Sequence, residues 1–270
     1  MISRIKSRPF SYALKDQPHQ SLNDMKIEPK PFWPLLLLAV HLAGPTRASE
    51  IPAAFTKGAR ILFQGDSITD GNRGRSADPN HILGHGYVFI IAADFGGHFP
   101  ERDLTFINRG ISGNTVSNLA ARWQKDTLDL KPDVLSILIG VNDVGHAQQN
   151  RNHVSAEEFG KQYDQILAEA RAANPQLKLV LCEPFILPGK ANKDHWEEWQ
   201  ADIKSLQAVV EKLAAKHHAP VVHFQKVFDD AVKRAPVDHW IWDGVHPTYS
   251  GHQLMADEWV RTVRAAWPEK

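Results

Sequence analysis

The chain has 270 residues, and its 31 Lys plus Arg balance 31 Asp plus Glu. A chain of this length buries about three quarters of its unfolded surface on folding, enough for a well-packed core in one large or two small domains. The neutral balance, with no long run of one sign, argues against nucleic acid or an anionic surface as partner, and the single cysteine, Cys182, excludes an internal disulfide and any Cys-rich zinc site.

Residues 1–30 are polar and basic, and Pro31-Phe32-Trp33-Pro34 then opens an apolar run that ends in Thr46-Arg47-Ala48. The run falls short of the roughly 20 residues that span a bilayer, and Lys26 and Lys30 precede it, the pattern of a secretory signal peptide. Residues 1–48 are therefore expected to be a leader, with cleavage after Ala48, Met25 as an alternative start, and export to the periplasm or the exterior. No cysteine follows the run, so no lipoprotein anchor and no stable membrane anchor are expected. His41 inside it leaves open an apolar arm packed on the domain.

From residue 60 onward, short β-rich apolar runs at 61–63, 104–107, 134–139, 177–181 and 221–224 alternate with stretches of helical period at 87–98, 116–127, 156–172, 196–217 and 250–266. Nearly continuous apolar strands suit a parallel sheet covered on both faces, and strand-helix alternation implies right-handed crossovers. The expected fold is a three-layer α/β/α sandwich around a central, mainly parallel five-stranded sheet of flavodoxin-like type. No repeat or linker interrupts it, so residues 55–268 read as a single domain. The apolar run 179–181 beside Cys182 marks that thiol as a core residue.

The first run leads into Gly65-Asp66-Ser67, a strand-to-helix turn that can present a serine hydroxyl and free backbone N–H groups. Its surroundings do not form a Gly-x-Ser-x-Gly elbow or a dinucleotide fingerprint. Asn108-Arg109-Gly110-Ile111-Ser112-Gly113-Asn114-Thr115 follows the second run, where glycines allow close backbone approach and Thr115 can cap the next helix. The third run ends in Gly140-Val141-Asn142-Asp143, whose asparagine can donate from its side-chain amide. Trp240-Ile241-Trp242-Asp243-Gly244-Val245-His246-Pro247 sets an aspartate and a histidine three apart on one loop before the closing helix.

Ligand crevices of open α/β sheets lie beyond the carboxyl ends of the strands, so Ser67, Gly110, Asn142 and His246 are expected at one edge. A serine becomes a good nucleophile when a histidine accepts its proton and a carboxylate steadies the imidazole. Together these residues point to acyl transfer. Trp242 is the candidate for apolar contact with a substrate, ahead of Trp240. The remaining histidines read as surface residues with no metal implied, and exposed apolar residues on the closing helix leave a homo-oligomer open.

In their order along the chain, Gly-Asp-Ser, the glycine of Arg109-Gly110-Ile111-Ser112-Gly113, Gly-x-Asn-Asp and Asp-x-x-His-Pro resemble the four sequence blocks of the GDSL-type SGNH hydrolases, over residues 60–267. The resemblance implies Ser67 as nucleophile and backbone oxyanion donor, Gly110 as second backbone donor, Asn142 as side-chain donor, His246 as base and Asp243 as its orienter. It implies no cofactor. The stretches 63–70, 108–115 and 140–144 look closest to members that remove acetyl groups from xylan and its oligosaccharides. An exported serine esterase acting on acetylated carbohydrate is therefore the leading expectation. Its rivals are a lysophospholipase or arylesterase of the same fold and, behind them, a non-catalytic carbohydrate-binding protein.

Overall fold

The structure, a computed structural model, describes residues 50–148 and 154–269. The leader expected over residues 1–48 lies outside the described residues. Strands β1 (Arg60–Gly65), β2 (Thr105–Asn108), β3 (Val134–Leu138), β4 (Lys178–Cys182) and β5 (Val221–Val222) form one sheet in the order β2-β1-β3-β4-β5. Every pairing is parallel. The sequence expected a mainly parallel sheet, and among the described residues no antiparallel strand joins it.

The strand sequences explain the layering. β3 is buried at every residue and β1 at all but Arg60, so both faces need cover. Helices α2 (Tyr87–His98) and α10 (Tyr249–Ala266) pack together, and α10 also meets α8 (Phe224–Ala231). On the other side α6 (Ala156–Ala173) joins α3 (Val116–Ala121) to α7 (Trp196–His217). Trp259 of α10 is fully buried, its ring 5.1 Å from that of Phe63 and 6.2 Å from that of Phe55. Its Nε1 donates to Ser136 Oγ at 2.9 Å, which satisfies the one polar atom of the indole. Cys182 lies nearby, and burial pushes its thiol up to about 12, as suits a packing residue.

Two expected elements change. The helix expected over 116–127 breaks at Arg122 into α3 and α4 (Trp123–Asp126), because the guanidinium is held across the turn by Gln64 Oε1 at 2.8 Å and Asn114 Oδ1 at 2.8 Å. The strand expected over 221–224 stops at Val222, and Phe224 instead begins α8. Thr115 caps α3 as expected, in a capping box with Asn118.

The chain leaves β1 toward β2 on one side and returns to β3 on the other. The direction of winding therefore switches between β1 and β3, the position beyond the strand ends where open α/β sheets bind their ligands. Ser67 follows β1, and Asn142 follows β3 in the first turn of α5 (Val141–Gln148), a helix absent from the helical stretches expected from the sequence.

Candidate active site

The site begins with a close approach. A Cβ at Gly65 would lie 2.5 Å from the Leu138 carbonyl oxygen and 2.9 Å from Thr69 Cβ, so only glycine lets β1 turn here. Asp66 then caps the short helix α1 (Ser67–Asp70), accepting the Ile68 N–H at 3.0 Å. Ser67 is the first helical residue, and its N–H has no intrahelical acceptor.

Three of the predicted residues form one hydrogen-bonded chain. Ser67 Oγ lies 2.9 Å from His246 Nε2, and His246 Nδ1 lies 2.8 Å from Asp243 Oδ2. The other Asp243 oxygen accepts the backbone N–H groups of Val245 at 2.9 Å and His246 at 2.7 Å, which fixes the loop around the carboxylate. Burial pushes the Asp243 carboxyl up, but the bonds from His246 and Val245 outweigh it and hold the group below the usual carboxylate range. The Asp243 bond raises His246 above an ordinary imidazole, against the opposing effect of burial. With Asp243 ionised and accepting from Nδ1, Nε2 of the neutral ring is an acceptor facing the serine hydroxyl.

Two further buried carboxyl groups lie beside this chain, and neither was singled out from the sequence. Burial raises Asp66 to about 7, its Oδ2 has no hydrogen-bond partner, and His246 partly offsets the rise. Asp143, next to Asn142, is raised to about 6 by burial although it accepts the Val116 N–H at 3.2 Å. A polar residue just ahead of a helix is a capping signal, and that signal alone could have drawn attention to Asp66.

The loop after β2 continues along β1, as Arg109 N donates to Phe63 O at 2.8 Å and Ile111 N to Gly65 O at 3.1 Å. Gly110 is pressed onto α1. A Cβ there would run into the backbone N of Asp70 and lie 2.7 Å from the Thr69 carbonyl carbon. Its N–H donates to Asn108 Oδ1 at 2.9 Å. Asn142 Nδ2 donates to the Asn114 carbonyl at 3.1 Å, tying the third segment to the second and leaving one amide hydrogen. Asp70 fastens the loop after β2 to α1, its Oδ2 accepting from Ser112 N at 3.1 Å and Ser112 Oγ at 3.0 Å.

The tryptophans of the fourth segment separate. Trp240 is buried and donates to Ala235 O, whereas Trp242 is 54% exposed with its ring 6.4 Å from that of His246. Lys190 Nζ sits 3.9 Å from the Trp242 ring centroid. His252 departs from the expectation of surface histidines. It is buried against Tyr87 with its pKa lowered to about 4 by burial. Among the described residues, Glu183, Glu211 and His223 bring possible metal-ligand atoms within 4.8 Å of one another. His223 Nδ1 lies 3.5 and 3.4 Å from the two carboxylates, beyond the ends of β4 and β5 rather than in the serine chain.

Comparison with known proteins agrees with this geometry. Residues 63–254 match the model of the GDSL-like Lipase/Acylhydrolase family. The acetylxylan esterase of Geobacillus stearothermophilus is 31% identical over 217 residues, covering 78% of this chain and 96% of that protein. Its crystal structure aligns with a TM-score of 0.69 at 30% identity over 78% of this chain and 96% of that one. A crystal structure from Parabacteroides merdae, assigned to the GDSL-like lipases, is 39% identical with a TM-score of 0.74 and covers 77% of this chain and 96% of that one. The chain therefore belongs to the GDSL-like lipase/acylhydrolase family and is a carboxylic ester hydrolase.

Proposed function

We propose that this hydrolase removes acetyl groups from carbohydrate of the xylan type through an acyl-enzyme on Ser67. The observation that carries the reading is the unbroken chain from Ser67 Oγ through His246 to Asp243, at 2.9 and 2.8 Å. Ser67 Oγ attacks the acetyl carbonyl while His246 Nε2 takes the hydroxyl proton. The imidazolium then gives that proton to the departing sugar oxygen, and Asp243 holds the ring in the required tautomer. Water, activated by the same nitrogen, attacks the acetyl-serine and releases acetate. No cofactor enters the scheme.

The tetrahedral oxyanion takes donors from Ser67 N–H, Gly110 N–H and the second Asn142 amide hydrogen. Gly110 joins by sharing the N–H it now gives to Asn108. Removing one such donor typically costs about 2.7–4 kcal/mol of transition-state stabilisation. Trp242 offers flat apolar surface beside the base. The acetyl preference draws support from the acetylxylan esterase of Geobacillus stearothermophilus, which matches over most of both chains.

In the same reading, residues 55–268 are the single catalytic domain, and residues 1–48 a leader that exports it. No helix among the described residues is long and apolar enough to cross a membrane.

Acetate release from acetylated xylo-oligosaccharides, set beside a series of 4-nitrophenyl esters, tests the substrate. A sharp preference for acetate is expected. Activity rising toward octanoate would favour a lipid-directed esterase instead, and full activity of Ser67→Ala on the aryl acetate would sink the mechanism.

A further inference from the structure

The neutral charge of the whole chain conceals a local excess. A groove of about 440 Å3 runs along the sheet-edge strand β2, and Arg60, Arg73, Arg75 and Arg109 line it with no acidic residue among the lining groups.

The nearby acids are already engaged. Arg75 takes both oxygens of Asp70, at 3.0 and 2.7 Å. Asp126 accepts from Arg122 at 3.3 Å and stands 4.0 Å from Arg109 Nε, too far for a hydrogen bond. Asp133 accepts the backbone N–H of Arg60 rather than its guanidinium. Among the described residues Arg60 makes no ion pair. The Nε atoms of Arg60 and Arg109 are buried with no hydrogen-bond partner. Arg73 donates its Nε to the Gly110 carbonyl at 2.9 Å, and burial together with the charges of Arg75 and Arg109 lowers it to about 10.

Buried donors are nearly always satisfied, and crowded like charges repel. A guanidinium fork matches two oxygens of one anion and supplies donors in fixed geometry. We propose that this groove binds a multi-oxygen anion, a carboxylate or a tetrahedral oxyanion, held by the guanidinium groups of Arg60 and Arg109 that line it. The inference goes beyond ester hydrolysis and does not depend on which ester is cleaved. The ligand is either a free inorganic anion or the carboxylate of an acidic sugar.

Calorimetric titration of the protein with inorganic phosphate, sulfate and D-glucuronate at low ionic strength tests it, since salt screens such contacts. Saturable binding of at least one of these anions is expected. Arg60→Gln and Arg109→Gln should each weaken it at least tenfold, and Arg60→Lys, which keeps the charge but loses the fork, should fall between. Phosphate or sulfate without glucuronate would identify a free ion, and a preference for glucuronate an acidic sugar. Melting without added anion checks folding, and a Gln variant that melts as the parent does is folded. If Arg109→Gln fails this check, Arg60→Gln decides alone. Absence of saturable binding to the parent protein, or equal binding by Arg60→Gln, overturns the proposal.

Discussion

His252 Nδ1 accepts the Tyr87 backbone N–H at 3.2 Å, so a side chain of the last helix caps the start of α2. Gly86 at the N-cap has no side chain to do this, and a side chain there would crowd the imidazole, since a Cβ would lie 3.0 Å from His252 Cε1. The bond requires an unprotonated Nδ1.

Stability should therefore fall with acidity. Burial lowers His252 from 6.5 to about 4, so the unfolded chain binds a proton between those values that the folded one refuses. The sign follows: this contribution is complete above pH 6.5 and is lost progressively as pH falls toward 4, by about 3 kcal/mol at most. Denaturant unfolding of parent and His252→Gln at pH 7 and pH 4.5 checks it. The variant should lose less stability between the two pH values.

Asp66 works in the opposite direction. Its raised value, about 7, means that the folded chain holds a proton the unfolded one releases, so stability is lost as pH rises from 3.8 through 7. Asn caps helices as well as Asp does but carries no charge. Asp66→Asn should therefore be more stable than the parent at pH 8, by about 1–4 kcal/mol, and indistinguishable or weaker at pH 4. Thermal melts at the two pH values decide the matter.

Replacing Asp243 with Asn should leave the loop folded but favour the wrong tautomer of His246. A fall in kcat on 4-nitrophenyl acetate of about 10^4, with KM little changed, is expected. Because Asp243 raises His246, the acidic limb of the kcat/KM profile should lie above an ordinary imidazole in the parent and move down in the variant. An unmoved limb would remove His246 from the role of base.

Gly110→Ala should damage stability and turnover together. Its Cβ runs into the Asp70 backbone, and overpacking of this kind costs about 1–3 kcal/mol. Urea unfolding and kcat report the two losses.

The residues of the serine chain were readable because each lies in a short local motif. Asp243 and His246 are three apart on one loop, and Ser67 comes just after a recognisable apolar strand. His252 could have been found, since Met255, Ala256, Trp259 and Val263 continue its face at helical spacing and all are buried. The break at Arg122 was hidden because its partners lie elsewhere in the chain, Gln64 on β1 and Asn114 on the loop after β2. The arginines of the β2 groove were equally hidden. They are scattered over 60–109, and only folding sets them beside one another.

Ser67 and His246, the proposed nucleophile and base, are 179 residues apart, with Ser67 on the first strand-to-helix turn and His246 shortly before α10. In the proposed mechanism Ser67 therefore gains its proton acceptor only once a segment 179 residues further along the chain is in place. On that reading the reactive pair comes into being only when the loop carrying His246 docks on the turn after β1, so ester cleavage also reports that this long-range closure has formed.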